Sequence, residues 1–281
     1  MSDVTATAAV IARVRAREHE KPAAQRLFSD PYAHLFGRLC SVPSGDALAH
    51  RSPQLPDHPA EDAAAEALIA ERYEQVPFFR EQVLLRTRFI DEALVGALAT
   101  GVRQVLLLGA GFDCRALRLH EVEATQTRVF EVDLPGQLER KRAILTAGGH
   151  AVPAWDIFVP CDLAAAGLEH GLAYQLEAAG YDPGARTFVV LEGVVNYLEA
   201  NEVDRTLRSL AAGAARPSQI VFNYASFRID PAALPARLEA LGYRRVETWP
   251  GSALYMRYYG EPPPETIRSA ADAFLLSMAE T

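Results

Sequence analysis

The stretch VLLLGAGFDCRALRL, residues 105–119, decides the fold. Four apolar residues run straight into Gly109-Ala110-Gly111, and Asp113, Arg115 and Arg118 follow. A short apolar run closed by glycines reads as a buried strand ending in a sharp turn. Glycine permits that turn and lets a ligand approach the backbone closely. In a doubly wound sheet, ligands bind beyond such strand ends, where the strand order reverses.

Outward from this turn, further short apolar runs lie at 127–133, 156–162, 187–192, 219–224, 244–249 and 273–278, for a count of seven strands. Helical periodicity at 136–147, 201–212 and 231–241 separates them. Such alternation predicts a parallel sheet with helices on both faces. The last run is expected to be an edge strand. Before about residue 80 no strand pattern occurs. That region is rich in Ala, Arg and Glu, and is broken by SDPY (29–32) and by SPQLPDHPAED (52–62), which reads as a loop because of its prolines. The expected organisation is therefore an N-terminal helical cap over 1–80 and an α/β domain over 81–281.

The net charge of −8 disfavours a general nucleic-acid binder, which needs a basic surface. No apolar run approaches the roughly 20 residues that span a bilayer, and the start MSDVTATAAV lacks the features of a secretory signal. Cys40, Cys114 and Cys161 show no metal or redox spacing. A cytoplasmic enzyme acting on a small molecule, with no nucleic-acid or membrane partner, is the expectation. Oligomeric state is not legible.

Four acids stand near four expected strand ends: Asp113, Asp133, Asp162 and Glu192. Gly109 and Gly111 followed by Cys114 keep a dinucleotide fingerprint open. However, Asp113 would set a carboxylate where a pyrophosphate meets a helix N-terminus, against the preference of that site. Asp133 can accept from ribose hydroxyls. Asp162 can accept from an exocyclic amine beside an apolar wall at Leu163. Glu192 lies beside the switch point, with Tyr197 further on. A strand-end acid can also simply cap the next helix. Glu131, alternating with Phe130 and Val132, reads as a solvated strand residue. The four acids together suit a phosphate-free, cationic nucleoside, and S-adenosyl-L-methionine has the required hydroxyls, amines and sulfonium.

At these residues the sequence resembles the leucine carboxyl methyltransferase family, in its bacterial O-methyltransferase branch. The resemblance rests on TATAAVIARVRARE, FSDPYAHLFGRL, LLRTRFIDEAL, LLLGAGFDCRALRL, VFEVDLPGQLERKRAIL, VPCDL and VLEGVVNYL. It implies a seven-stranded, Rossmann-like class I methyltransferase fold that binds S-adenosyl-L-methionine. It also implies that Arg86 binds the methionine carboxylate, with Arg88 competing for that role. By the same resemblance Gly109 lies under the cofactor, Asp133 binds ribose, Asp162 and Leu163 flank adenine, and Glu192 lies near the methionine portion. Tyr197 is implied as a residue placing the substrate. Arg13 loosely matches a basic residue near the cofactor carboxylate. The C-terminal stretch SALYMRYYGEPP, residues 252–263, looks bacterial and departs from the protein-methylating members, which favours a secondary metabolite as acceptor.

Methyl transfer to a carboxylate needs positioning rather than a base, because the carboxylate is already ionised at neutral pH. Arg13, Arg15 and Arg17 are candidates to orient it. A phenolic acceptor would need a base. No histidine falls in the four strand-end motifs. His120 is the nearest, and His19 and His34 belong to the cap. The alternatives are a phenol or hydroxyl O-methyltransferase and a nucleotide-dependent oxidoreductase.

Overall fold

A computed structural model describes residues 3–38, 75–165, 168–213 and 217–281. The loop expected at 52–62 and Cys40 lie outside these residues. The N-terminal part contributes helices α1 (Asp3–His19) and α2 (Ala33–Arg38). From α3 (Phe79–Ala99) onward the chain alternates: β1 (Gln104–Leu108), α4 (Arg115–Arg118), α5 (His120–Ala124), β2 (Arg128–Asp133), α6 (Pro135–Ala147), β3 (Asp156–Pro160), α7 (Leu168–Ala178) and β4 (Thr187–Leu191). A 3-10 turn, Val195–Tyr197, leads to α8 (Ala200–Gly213), β5 (Gln219–Ala225), α9 (Leu234–Ala240), β6 (Arg244–Pro250), α10 (Gly251–Tyr259), α11 (Glu265–Ala273) and β7 (Phe274–Glu280).

The seven strands form one sheet in the order β3-β2-β1-β4-β5-β7-β6. β1 to β5 pair in parallel, and β7 runs antiparallel to both neighbours. The strand order reverses between β1 and β4, so the glycine turn opens at that switch point. β1 is buried at every position because helices cover both faces. Leu106 and Leu108 enter one core with Phe130, Val132 and Leu191. Val105 and Leu107 enter the other with Leu94, Leu98 and Phe188. The last apolar run is not the edge. β7 sits between β5 and β6 and buries Leu275, Leu276 and Ala279, while β6, with exposed Arg244 and Arg245, takes the edge.

The helical N-terminal segment shares cores with the sheet domain. Ala9, Ala12 and Phe36 pack with Phe112, Ile144 and Leu145, and Val10, Val14 and Phe28 pack with Phe79, Val83 and Leu84. The break expected at residue 80 falls just inside α3.

Glu131 corrects the sequence expectation. Its alternation with Phe130 and Val132 holds, but the face it points to is covered by α6 rather than solvent. Glu131 and Lys141 are both fully buried and paired, with Nζ donating to Oε1 at 2.6 Å. Asp156 lies close by, also buried, and neither of its oxygens has a hydrogen-bond partner among the described residues. Burial and then Asp156 push Glu131 up, against Lys141. Burial raises Asp156 to about 6. One lysine thus serves two buried acids. The folded state holds a proton on Asp156 that the unfolded chain releases near its usual pKa of about 3.9. Stability is therefore lost as pH rises from about 4 through 6. Asp156→Asn should raise the unfolding free energy at pH 7.5 by about 2 kcal/mol, with the gain vanishing below about pH 4. Thermal unfolding across that range checks it, and an equal shift at both ends would contradict it.

Candidate functional site

A cavity of about 300 Å³ opens at the C-terminal ends of β1, β2 and β4 and is bounded on one side by α1. Its floor is the glycine turn. Gly109 has φ +65°, and a side chain there would collide with Val194, which a Cβ would approach to 2.4 Å. Gly193, at φ +74°, lies against Arg86, so a Cβ would sit 3.4 Å from its Nη2. The turn after β4 is pinned because the Gly193 N–H donates to Asn223 Oδ1 at 2.7 Å.

All four strand-end acids line this cavity. The N-caps of α4 and α6 are Cys114 and Leu134, without side-chain cap bonds, and three of the acids instead bind nearby backbone N–H groups while facing the cavity. Asp113 Oδ1 accepts the Arg115 N–H at 2.7 Å. Asp133 accepts the Gly111 N–H at Oδ2 and the Leu134 N–H at Oδ1, each at 2.7 Å. Asp162 Oδ1 accepts the Ala164 N–H at 2.9 Å. Burial pushes Asp133 up, in part offset by its two backbone donors. Each of these carboxylates keeps acceptor capacity beyond its backbone bonds.

Asp113, expected to disfavour a pyrophosphate at this turn, is neutralised by a neighbour. It forms an ion pair with Arg115. Burial disfavours its charge, but Arg115, then Arg15 and Lys141, outweigh that and hold it at about 2. Its repulsion of phosphate is accordingly reduced. Glu192 is also compensated: it accepts from Arg86 Nε at 2.9 Å and from Arg115 Nη1 at 2.7 Å. Burial opposes its ionisation, while Arg115 and Arg86 bring its pKa below the usual value.

The two arginines of LLRTRF separate cleanly. Residues two apart on a helix diverge by about 200° around its axis. Arg86 is buried on the cavity wall. Arg88 turns outward to Glu92 at 2.7 Å and to the Leu27 carbonyl. Arg86 spends Nε on Glu192, and its two terminal nitrogens have no hydrogen-bond partner among the described residues.

Leu163 is buried on the cavity wall, and Tyr197 lies on its rim, half exposed. Arg13 is not at the cavity. Its Nε donates to the Gly37 carbonyl of α2 at 3.1 Å. Arg15, two residues on and so on another face of α1, lines the cavity instead, bonded to the Phe112 carbonyl and to Asp30. Thr7, Ala8, Ile11 and Gln137 also line it. Sequence reasoning missed these four. No motif marks them, since their position comes from how α1 and α6 dock. Among the described residues no histidine lines the cavity: His19 meets Ser29 and His34 meets the Pro31 carbonyl.

The pocket suits an adenosyl sulfonium compound. It offers an apolar wall, two acids with spare acceptor capacity and a guanidinium with two open nitrogens. The strand order and this pocket define the class I methyltransferase fold of S-adenosyl-L-methionine-dependent enzymes. A solved structure from Thermobifida fusca, described as a methyltransferase, shares the fold at TM-score 0.56 and 15% identity, covering 77% of this chain and 88% of that one. The sequence model for leucine carboxyl methyltransferase matches residues 8–211, and the chain belongs to that family. It is 36% identical over 219 residues to a protein of Streptomyces coelicolor named as an S-adenosyl-L-methionine-dependent methyltransferase, covering 78% of this chain and 68% of the relative. A Streptomyces avermitilis protein of the same designation is 34% identical over 266 residues, covering 95% of this chain and 81% of the relative. No helix among the described residues is long and apolar enough to cross a membrane.

Proposed function

We propose that this protein methylates a carboxylate oxygen of a small molecule, a secondary metabolite, in the cytoplasm. Bound S-adenosyl-L-methionine would supply the electrophilic methyl group on its sulfonium. Asp133 is assigned to the ribose hydroxyls, Asp162 and Leu163 to the adenine, and Arg86 to the methionine carboxylate. Gly109 keeps the floor free of side chain. Glu192 holds Arg86 in place and lends negative charge near the methionine portion. Tyr197, on the rim, is assigned to placing the acceptor. Arg15, rather than Arg13, is the basic residue of α1 assigned to face the reactants. The N-terminal segment over 1–80, expected from the sequence to be a cap, is assigned to closing over them.

One observation carries the choice of acceptor. Among the described residues the cavity holds no histidine or lysine, and Asp113 and Glu192 are already committed to arginines. A phenol, with a pKa near 10, would find no ready base, whereas a carboxylate arrives ionised. The remaining work is alignment and exclusion of water, to which the buried guanidinium groups contribute fixed hydrogen bonds.

The test uses methyl-labelled cofactor with candidate acids and phenols, followed by mild base. An ester releases the label as methanol, and an ether keeps it. Base-stable label in the product would overturn the carboxylate assignment.

A further inference from the structure

We propose that Arg115, which does not line the cavity, is a positioning residue for cofactor binding: from behind the wall it fixes Glu192, and through Glu192 the guanidinium of Arg86. The proposal rests on the reading of the cavity given above. Arg115 is 1% exposed and engages three carboxylates. Nε meets Asp91 of α3 at 2.8 Å, while Nη1 meets Asp113 and, at 2.7 Å, Glu192 Oε2. The other oxygen of Glu192 holds Arg86 Nε at 2.9 Å. A planar fork of five donors can serve carboxylates in several directions at once, whereas an ammonium is a point charge on a flexible stem.

The pairs continue beyond Arg115. Asp91 binds Arg118 at 2.7 Å, Arg118 approaches Asp30 at 3.7 Å, and Asp30 holds Arg15 at 3.1 Å. Arginines and carboxylates balance along this chain. Its two terminal arginines, Arg86 and Arg15, line the cavity, whereas Arg115, Asp91, Arg118 and Asp30 do not. These four touch no part of the cavity, yet they set where the terminal guanidinium groups stand. Removing Arg115 leaves Asp113 and Glu192 close together without the cation between them. The charged groups then acting on Glu192 are Arg86 from α3, Asp113 from the glycine turn and Arg15 from α1. With its strongest counter-charge gone, Glu192 should take up a proton as pH falls and release its hold on Arg86.

Wild type, Arg115→Gln and Arg115→Lys are titrated calorimetrically with S-adenosyl-L-methionine from pH 6 to 8, with thermal unfolding as the check of fold. The ratio of variant to wild-type Kd cancels ionisations of the ligand itself. For Arg115→Gln the ratio should be at least about thirtyfold at pH 6 and fall severalfold by pH 8. Arg115→Lys keeps the charge without the fork and should give a pH-independent ratio of about five to ten. A folded Arg115→Gln with a ratio that is small, or large but constant with pH, overturns the proposal, because a merely structural role creates no new titration. If Arg115→Gln does not fold, Arg115→Lys decides: binding within about twofold of wild type overturns the proposal. Failure of both to fold also overturns it, since Arg115 then serves the core. If wild type itself does not bind, the reading of the cavity fails first, and this proposal with it.

Discussion

Lys141→Met should cost about 3–5 kcal/mol of unfolding free energy at pH 7.5. Met preserves much of the volume and contact with the Phe158 ring, which lies 5.6 Å from Nζ. It removes the cation that Glu131 and Asp156 share in a region with no solvent access, and it frees the Asp113 carbonyl that Nζ also binds. An uncompensated buried carboxylate costs far more than an apolar pair of similar shape. The double variant Lys141→Met/Glu131→Gln should therefore recover at least half of the loss. Denaturant titrations of the three proteins measure this. A single-variant loss under about 1 kcal/mol would mean that the pair is not held as described.

Arg86→Ala should weaken S-adenosyl-L-methionine binding about a hundredfold, while Arg88→Ala should leave Kd within about twofold. The two residues share a helix, a charge and a motif, so composition cannot account for a difference between them. Arg86 stands on the cavity wall, braced by Glu192, with terminal nitrogens able to pair with a carboxylate. Arg88 has its partners in Glu92 and the Leu27 carbonyl. Calorimetric titration of both variants decides it, with thermal unfolding as a control. Equal losses, or the reverse order, would place the cofactor carboxylate elsewhere.

Much of this was legible in the chain. The strands fall within a residue or two of the apolar runs, because a parallel strand buried on both faces leaves a continuous apolar signature bounded by glycines and acids. The order of β7 and β6 was not legible. A short apolar run looks the same at an edge and in an interior, and which one it occupies depends on the chain's return path. The strand-end acids were visible as a set because each falls where its strand stops. That three of them bind a backbone N–H as well as face the cavity was not visible, since both roles use the same residue type at the same place.

What the amino-acid sequence by itself determined is local: where strands begin and end, which turn carries glycines, and which acids stand at the switch point. These follow from periodicity and backbone freedom, which act over a few residues. The tertiary structure decided which charges neutralise one another. Asp113 is answered by Arg115, Glu192 by Arg86 and Arg115, and Glu131 by Lys141. It also decided that Arg15 rather than Arg13 reaches the cavity. Charge pairing and burial depend on distances across the fold, which α1, α3 and α6 set only when they dock on the sheet, and no spacing along the chain encodes those distances.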